Sequence, residues 1–183
     1  WNSRRKAGDL QTGIIWWCQM SIKKTLNVGA GERTFINYPT KEYRCINFDE
    51  RPLKDIDIVG DVKDLSGFKD EEFDFILASD IIEHFPIKQT EGILKEWKRV
   101  LKKGGIIEFR LPNLEAICKQ YIKSKNARNI SWLLYGGQTY SGNFHYVGFD
   151  RAFFKEECSK VDLEEISYSE EGFNMIIRTK KVK

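Results

Sequence analysis

The chain has 183 residues, enough for one domain with a substantial buried core. Its apolar share of 41% is ordinary for a globular protein and argues against disorder, and 30 Lys and Arg against 27 Asp and Glu leave a charge of +3 scattered over every segment, a weak balance that does not itself point to nucleic acid or a membrane; no nucleic acid is expected as a partner. No apolar run approaches the roughly 20 residues of a membrane span, and Cys18, Cys45, Cys118 and Cys158 lie too far apart for a C-x-x-C zinc or redox pair, which reads as reduced thiols in a cytoplasmic protein.

Residues 1–19, WNSRRKAGDLQTGIIWWCQ, precede Met20, which opens MSIKKTLNVGAG and runs directly into a first strand. They are read as a leader or extension outside the fold, and 20–183 as a single domain. The competing reading is an N-terminal helix packing Ile14, Ile15, Trp16 and Trp17 on that domain. From residue 25 the runs TLNVG, YRCINFD, IDIVGDV, FDFILASD and GGIIEFRLP are short, apolar and bounded by Gly, Pro, Asp or charge, as strands are. Between the last two, IKQTEGILKEWKRVLKKGG places Ile93, Leu94, Trp97, Val100 and Leu101 at helical spacing, with a Lys-rich last turn and glycines beyond it. A strand, a helix and another strand make a right-handed crossover between parallel strands, hence an α/β sheet. The last two runs, LEEISYS and FNMIIRTKKV, are separated only by EEG, a connection that joins antiparallel neighbours. The sheet is therefore expected to be mostly parallel with one reversed strand near its end.

Gly29-Ala30-Gly31 follows the first strand. Glycines there let the backbone turn sharply and let a ligand approach main-chain atoms. A dinucleotide fingerprint requires a third glycine where Thr34 stands, so G-x-G-x-x-G fails. Taken alone, the pair equally fits a tight strand-to-loop turn. Two acids then follow at strand ends: Asp49, placed to accept hydrogen bonds from both hydroxyls of a ribose, and Asp61, placed to meet the exocyclic amine of an adenine with the Val62 amide beside it. Each acid alone fits a solvated loop or helix cap; together after a glycine turn they favour a nucleoside site.

Taken in order, LNVGAGE, INFDE, GDVKDL, EEFDFILASDIIEHF, LKEWKRVLKKGGIIEFRLPN and GGQTYSGNFHYVGF resemble the class I S-adenosylmethionine-dependent methyltransferases. More narrowly, they resemble the small methyltransferases found among polysaccharide-biosynthesis enzymes. The likeness covers roughly residues 22 to 160. It implies a Rossmann-like α/β fold with a mostly parallel seven-stranded sheet, an antiparallel last strand and helices on both faces, with S-adenosylmethionine as cofactor. It also places Ser79 and Asp80 near that cofactor, beside Gly29, Ala30, Gly31, Asp49, Asp61 and Val62. Asn27 and Arg33 stand where the family often has an acid and a third glycine.

Methyl transfer from a sulfonium is an in-line displacement, so a hydroxyl acceptor needs only alignment, exclusion of water and removal of its proton. His84 and His145 are the two histidines. His84, in SDIIEHFP, either lines the acceptor pocket or pairs with Glu83 to fix the loop before Pro86. His145, in YSGNFHYVGF, is read as general base on a loop folding over the cofactor, with Tyr140, Tyr146 or Phe149 as an acceptor wall; the competing reading is an exposed histidine on a surface loop. Trp97 and the run Trp132 to Tyr135 are read as packing, and KSKNAR as a solvated face. No His, Cys or Asp spacing indicates a metal. The function expected is S-adenosylmethionine-dependent methylation of a small molecule or sugar, on oxygen. Its competitors are a non-catalytic cofactor-binding or interaction module with the same fold, and an NAD-linked oxidoreductase, which the missing third glycine disfavours.

Overall fold

A computed structural model of the chain describes residues 24–32 and 44–183. Arg33, the segment after it and both readings of the leader 1–19 lie outside the described residues. Seven strands form one sheet in the order β3-β2-β1-β4-β5-β7-β6: β1 Lys24–Val28, β2 Arg44–Asp49, β3 Ile58–Val59, β4 Phe73–Ser79, β5 Leu101–Pro112, β6 Leu163–Glu171 and β7 Asn174–Lys181. The pairs from β3 to β5 are parallel, and β7 lies antiparallel between β5 and β6. The short connection EEG thus does join antiparallel neighbours, and the Rossmann-like sheet with its reversed last strand is the one expected.

The centre of the sheet is apolar because both of its faces are covered. Along β4, Ile76 and Ala78 enter the main core with Trp97, Phe109 and Phe154, while Phe75 and Leu77 form a second cluster with Ile106. Among the described residues four α-helices flank the sheet: α1 Ile87–Val100, α2 Leu114–Ser124, α3 Arg128–Tyr135 and α4 Arg151–Ser159. Asn113 caps α2 by accepting from the amides of Glu115 and Ala116, and Asp150 caps α4 by accepting from Phe153.

Three local expectations change. The helix from Ile87 stops at Val100, and Leu101, Lys102 and Lys103 belong to β5, because Leu101 pairs with Phe73 before a bulge that takes Gly104 to φ 76°. The third strand shrinks to two exposed residues, so Asp61 stands in the loop beyond it. Trp132 is 60% exposed and does not pack; Ile130 and Leu133 bury instead against Ile117. Residues 123 to 128 are exposed, as a solvated face should be.

Trp97 packs as expected, fully buried, and also donates its indole N–H to the Val62 carbonyl at 2.8 Å. Helix α1 thereby pins the loop that carries Asp61 and Val62. Trp97→Phe keeps an aromatic ring but leaves that carbonyl without its donor, so it lowers unfolding free energy by about 1–3 kcal/mol. Urea denaturation checks this, and an unchanged midpoint would contradict it.

Candidate functional site

The carboxyl ends of β1, β2 and β4 converge on a crevice of about 110 Å³, lined by Gly29, Asp49, Asp61, Val62, Asp80 and His84, among others. Parallel strands bring these ends to one edge, where open α/β sheets bind ligands. Gly29 and Gly31 have φ of 66° and 55°, the left-handed backbone for which glycine is suited. A Cβ on Gly29 would lie 2.6 Å from Ile81 Cδ1, so this turn also packs too closely for a side chain.

Asp49 holds the turn in place. It is 4% exposed, and its Oδ2 accepts from the Gly31 amide at 2.8 Å. Its Oδ1 accepts from the Arg51 amide at 2.9 Å and from Arg51 Nε at 3.1 Å. The Ala30 amide reaches the Phe48 carbonyl at 3.1 Å. The carboxylate therefore faces the crevice floor with three donors already on it, rather than turning into solvent. The Arg51 guanidinium lies 4.3 Å over the ring of Tyr140, so a residue from the β2 tip stacks on one from the loop after α3. That stack narrows the crevice below the roughly 300–1,000 Å³ usual for ligand pockets.

The other predicted residues fall around this centre. Asp61 is half-exposed; it caps its own turn by accepting from the Lys63 amide at 2.9 Å and pairs with Lys63 at 3.3 Å. Asp80 sits at φ 51°, accepts from Asn174 Nδ2 at 3.1 Å and from the Ser79 hydroxyl at 3.2 Å. Ala30, Gly31 and Ser79 lie close to lining residues in the chain but do not themselves line the crevice. Asn27 is buried and donates to Asn47 Oδ1 at 3.0 Å, joining β1 to β2 beneath the turn.

His84 ends a single 3-10 turn, Ile82–His84, and its ring meets that of His145 edge to face at 4.7 Å. The loop 136–149 carries His145 there. It is tied down by the His145 amide to the Tyr135 carbonyl at 3.2 Å and the Tyr146 amide to the Glu83 carbonyl at 2.8 Å. His145 is thus half-buried with its ring against His84, while its neighbours Phe144 and Tyr146 on the loop are exposed. Its Nδ1 lies 3.0 Å from the Leu133 carbonyl, which can only accept, so Nδ1 carries the hydrogen and Nε2 keeps its lone pair. Of the expected acceptor wall, Tyr140 lines the crevice; Phe149 is buried in the core against Phe153 and Phe154, and Tyr146 is 63% exposed.

The pairing of Glu83 with His84 does not occur. Glu83 is 1% exposed, and neither carboxylate oxygen has a hydrogen-bond partner; His84 Nδ1 has none either. Burial pushes the Glu83 carboxyl up to about 8 despite the proximity of its own amide, while burial and then the neighbouring His145 draw His84 down to about 4. Burial lowers His145 as well. Sequence reasoning missed Arg51, which reads as an ordinary surface charge, and offered Glu83 only as a partner of His84, because its burial depends on a loop some 60 residues away in the chain.

A raised carboxyl has a signed consequence. Between about 4.5, its ordinary value, and about 8, folded Glu83 keeps a proton that the unfolded chain has released, so its contribution to stability falls as pH rises through that window. The stability of the parent chain minus that of Glu83→Gln should decline from pH 4.5 to 8. Denaturation curves across that range measure it; a difference independent of pH would contradict the burial.

The same arrangement of strands recurs in known proteins. A family model described as a methyltransferase domain matches residues 26–109. No curated protein matches in sequence. Among solved structures, a SAM-dependent methyltransferase from Methanosarcina mazei is 16% identical, with a TM-score of 0.68 over 92% of this chain and 97% of its own. The Burkholderia thailandensis 1,6-didemethyltoxoflavin-N1-methyltransferase, solved with 1,6-didemethyltoxoflavin and S-adenosylhomocysteine, is 12% identical, with a TM-score of 0.62 over 87% of this chain and 71% of its own. A Haloferax volcanii methyltransferase in complex with the activator Trm112 is 14% identical, with a TM-score of 0.63 over 94% of this chain and 90% of that one. No helix among the described residues is long and apolar enough to cross a membrane. The chain has the Rossmann-like fold of S-adenosylmethionine-dependent methyltransferases, and residues 26–109 match a methyltransferase domain.

Proposed function

We propose that the chain is a cytoplasmic methyltransferase that uses S-adenosylmethionine to methylate a small molecule or sugar on oxygen. The observation that carries this reading is the contact of the β2-tip carboxylate with the glycine turn, Asp49 Oδ2 to the Gly31 amide at 2.8 Å. It sets a diol-binding acid beside bare backbone at the sheet's carboxyl edge.

The residues fit the cofactor. The turn is free of side chains at Gly29 and Gly31, suiting the amino-acid tail, with Ala30 between them. A carboxylate offers about four lone-pair sites, so Asp49 retains an acceptor for a ribose hydroxyl, and displacing Arg51 Nε frees another. Asp61 and Val62 would meet the adenine, the former through a side chain half in solvent, the latter through a loop pinned by Trp97. Ser79 and Asp80 border the sulfonium side, locked to each other and to Asn174. Bound there, S-adenosylmethionine supplies an electrophilic methyl group. The chain's own task is to align the acceptor, exclude water and promote loss of the hydroxyl proton. His84, which lines the crevice, and His145 behind it are assigned to that last role. A neutral imidazole pair suits a hydroxyl, which supports oxygen as the acceptor atom. Sugars belong to the acceptor class on the strength of the motif resemblance to polysaccharide-biosynthesis enzymes.

Calorimetric titration with S-adenosylhomocysteine and with NAD tests the reading: the first should bind and the second should not. Tight NAD binding without a response to S-adenosylhomocysteine would overturn it. Asp49→Asn, which loses charge-assisted hydrogen bonds, should weaken S-adenosylhomocysteine binding about ten- to a hundredfold; an unchanged affinity would remove the ribose role. His145→Ala should leave that affinity intact and slow methyl transfer to a hydroxyl acceptor by about 10²–10⁴-fold. Undiminished turnover would take His145 out of the chemistry.

A further inference from the structure

Beside the crevice, a feature that ordinary packing does not explain is Glu83, the one carboxyl among the described residues' buried polar groups without a hydrogen-bond partner. A carboxyl group removed from water without a hydrogen bond is costly whether ionised or protonated, and native interiors rarely retain one. Both Glu83 oxygens are in that condition, as is Nδ1 of His84, and the residue is 1% exposed. One ligand-capable atom from each of Glu83, His84 and His145 lies within 4.8 Å of the others. The third, His145, has its tautomer set by the Leu133 carbonyl at 3.0 Å, which leaves Nε2 as a bare donor atom. Metal-bound imidazoles are held this way, the far N–H given to a backbone carbonyl.

We propose that Glu83, His84 and His145 form a binding site for one divalent d-block cation, zinc by the nature of its donors. Two imidazoles and a carboxylate are a set that catalytic zinc sites use, with a further position left for water or substrate. Tetrahedral ligands about 2.0–2.1 Å from zinc lie roughly 3.3 Å apart. The trio therefore has to contract by no more than about 1.5 Å from its widest allowed spacing, which side-chain rotation supplies. The backbone is already anchored on both sides of the cluster, by the 3-10 turn at His84 and by the Tyr146 amide on the Glu83 carbonyl at 2.8 Å. Linear spacing conceals the site, because Glu83 and His84 are adjacent while His145 arrives on loop 136–149.

The cation's chemical role rests on the function proposed above: next to a crevice that His84 lines, it would polarise an acceptor hydroxyl and ease loss of its proton, so that the two histidines act through it. Its existence does not rest on that reading, and the test separates them. The metal-free full chain is titrated with Co²⁺ and followed by visible absorption, with Zn²⁺ as competitor, and the same preparation is titrated with S-adenosylhomocysteine. One equivalent of Co²⁺ should give a ligand-field band that Zn²⁺ abolishes. Glu83→Gln and His145→Ala should each weaken Co²⁺ binding by at least about tenfold. Glu83→Gln conserves volume, and an unchanged far-UV circular dichroism spectrum at the titration pH shows that it reports on ligation rather than folding; the two variants also discount Co²⁺ held by the free thiols of Cys45 or Cys118. Absence of the band, or a band that both variants keep, would overturn the cation site. S-adenosylhomocysteine binding alongside that absence would leave the methyltransferase reading in place.

Discussion

The Asp49 carboxylate joins two strand tips that the sheet only brings near each other. Through the Gly31 amide it fixes the turn after β1, and through the Arg51 amide and guanidinium it fixes the chain leaving β2. Charge-assisted bonds to a buried carboxylate are among the stronger polar contacts available to a chain. The Gly31 contact falls on a turn whose glycines, Gly29 and Gly31, both have positive φ. The crevice is accordingly defined by backbone and one acid, with Arg51 and Tyr140 stacked across its mouth.

A second constraint governs the acceptor side. The bridge between Asn113 and Phe149 and the burial of Phe149 in the core hold the far end of loop 136–149. Its nearer residues then close on the turn that follows β4, bringing His145 onto His84. Under the proposed function, adenosine recognition falls to β1, β2 and the loop after β3, and proton removal to the turn after β4 and a single late loop. The two halves meet at Asp80, which lines the crevice and lies close enough to Glu83 and His84 to influence both.

Much of the frame is legible in the residues themselves. Short apolar runs bounded by turn residues mark all seven strands, and the EEG connection gives the reversed pairing of β6 and β7. The third strand is not legible at its true length, because only Ile58 and Val59 pair and neither is buried. The end of α1 is misjudged since Leu101 fits the helical period yet pairs with Phe73, a tertiary preference that local pattern cannot express. In the site, Gly29, Asp49, Asp61, Val62 and Asp80 are placed by sequence because strand ends converge in any parallel sheet. Phe149 is misplaced because an aromatic residue in a Gly-rich loop reads alike whether it faces a ligand or the core. Glu83 is legible only in three dimensions, its isolation being produced by Tyr146 and His145 from the other side.

The methyltransferase reading requires a nucleoside lying across the tips of β1 and β2, gripped by Asp49. A crystal structure of the chain with S-adenosylhomocysteine decides whether it lies there. Density should appear over Gly29 to Gly31, with the ribose on the Asp49 carboxylate and Arg51 Nε displaced from it. Ligand bound elsewhere on the chain, or a crevice that stays closed with Arg51 still bonded to Asp49 at saturating ligand, would refute that placement.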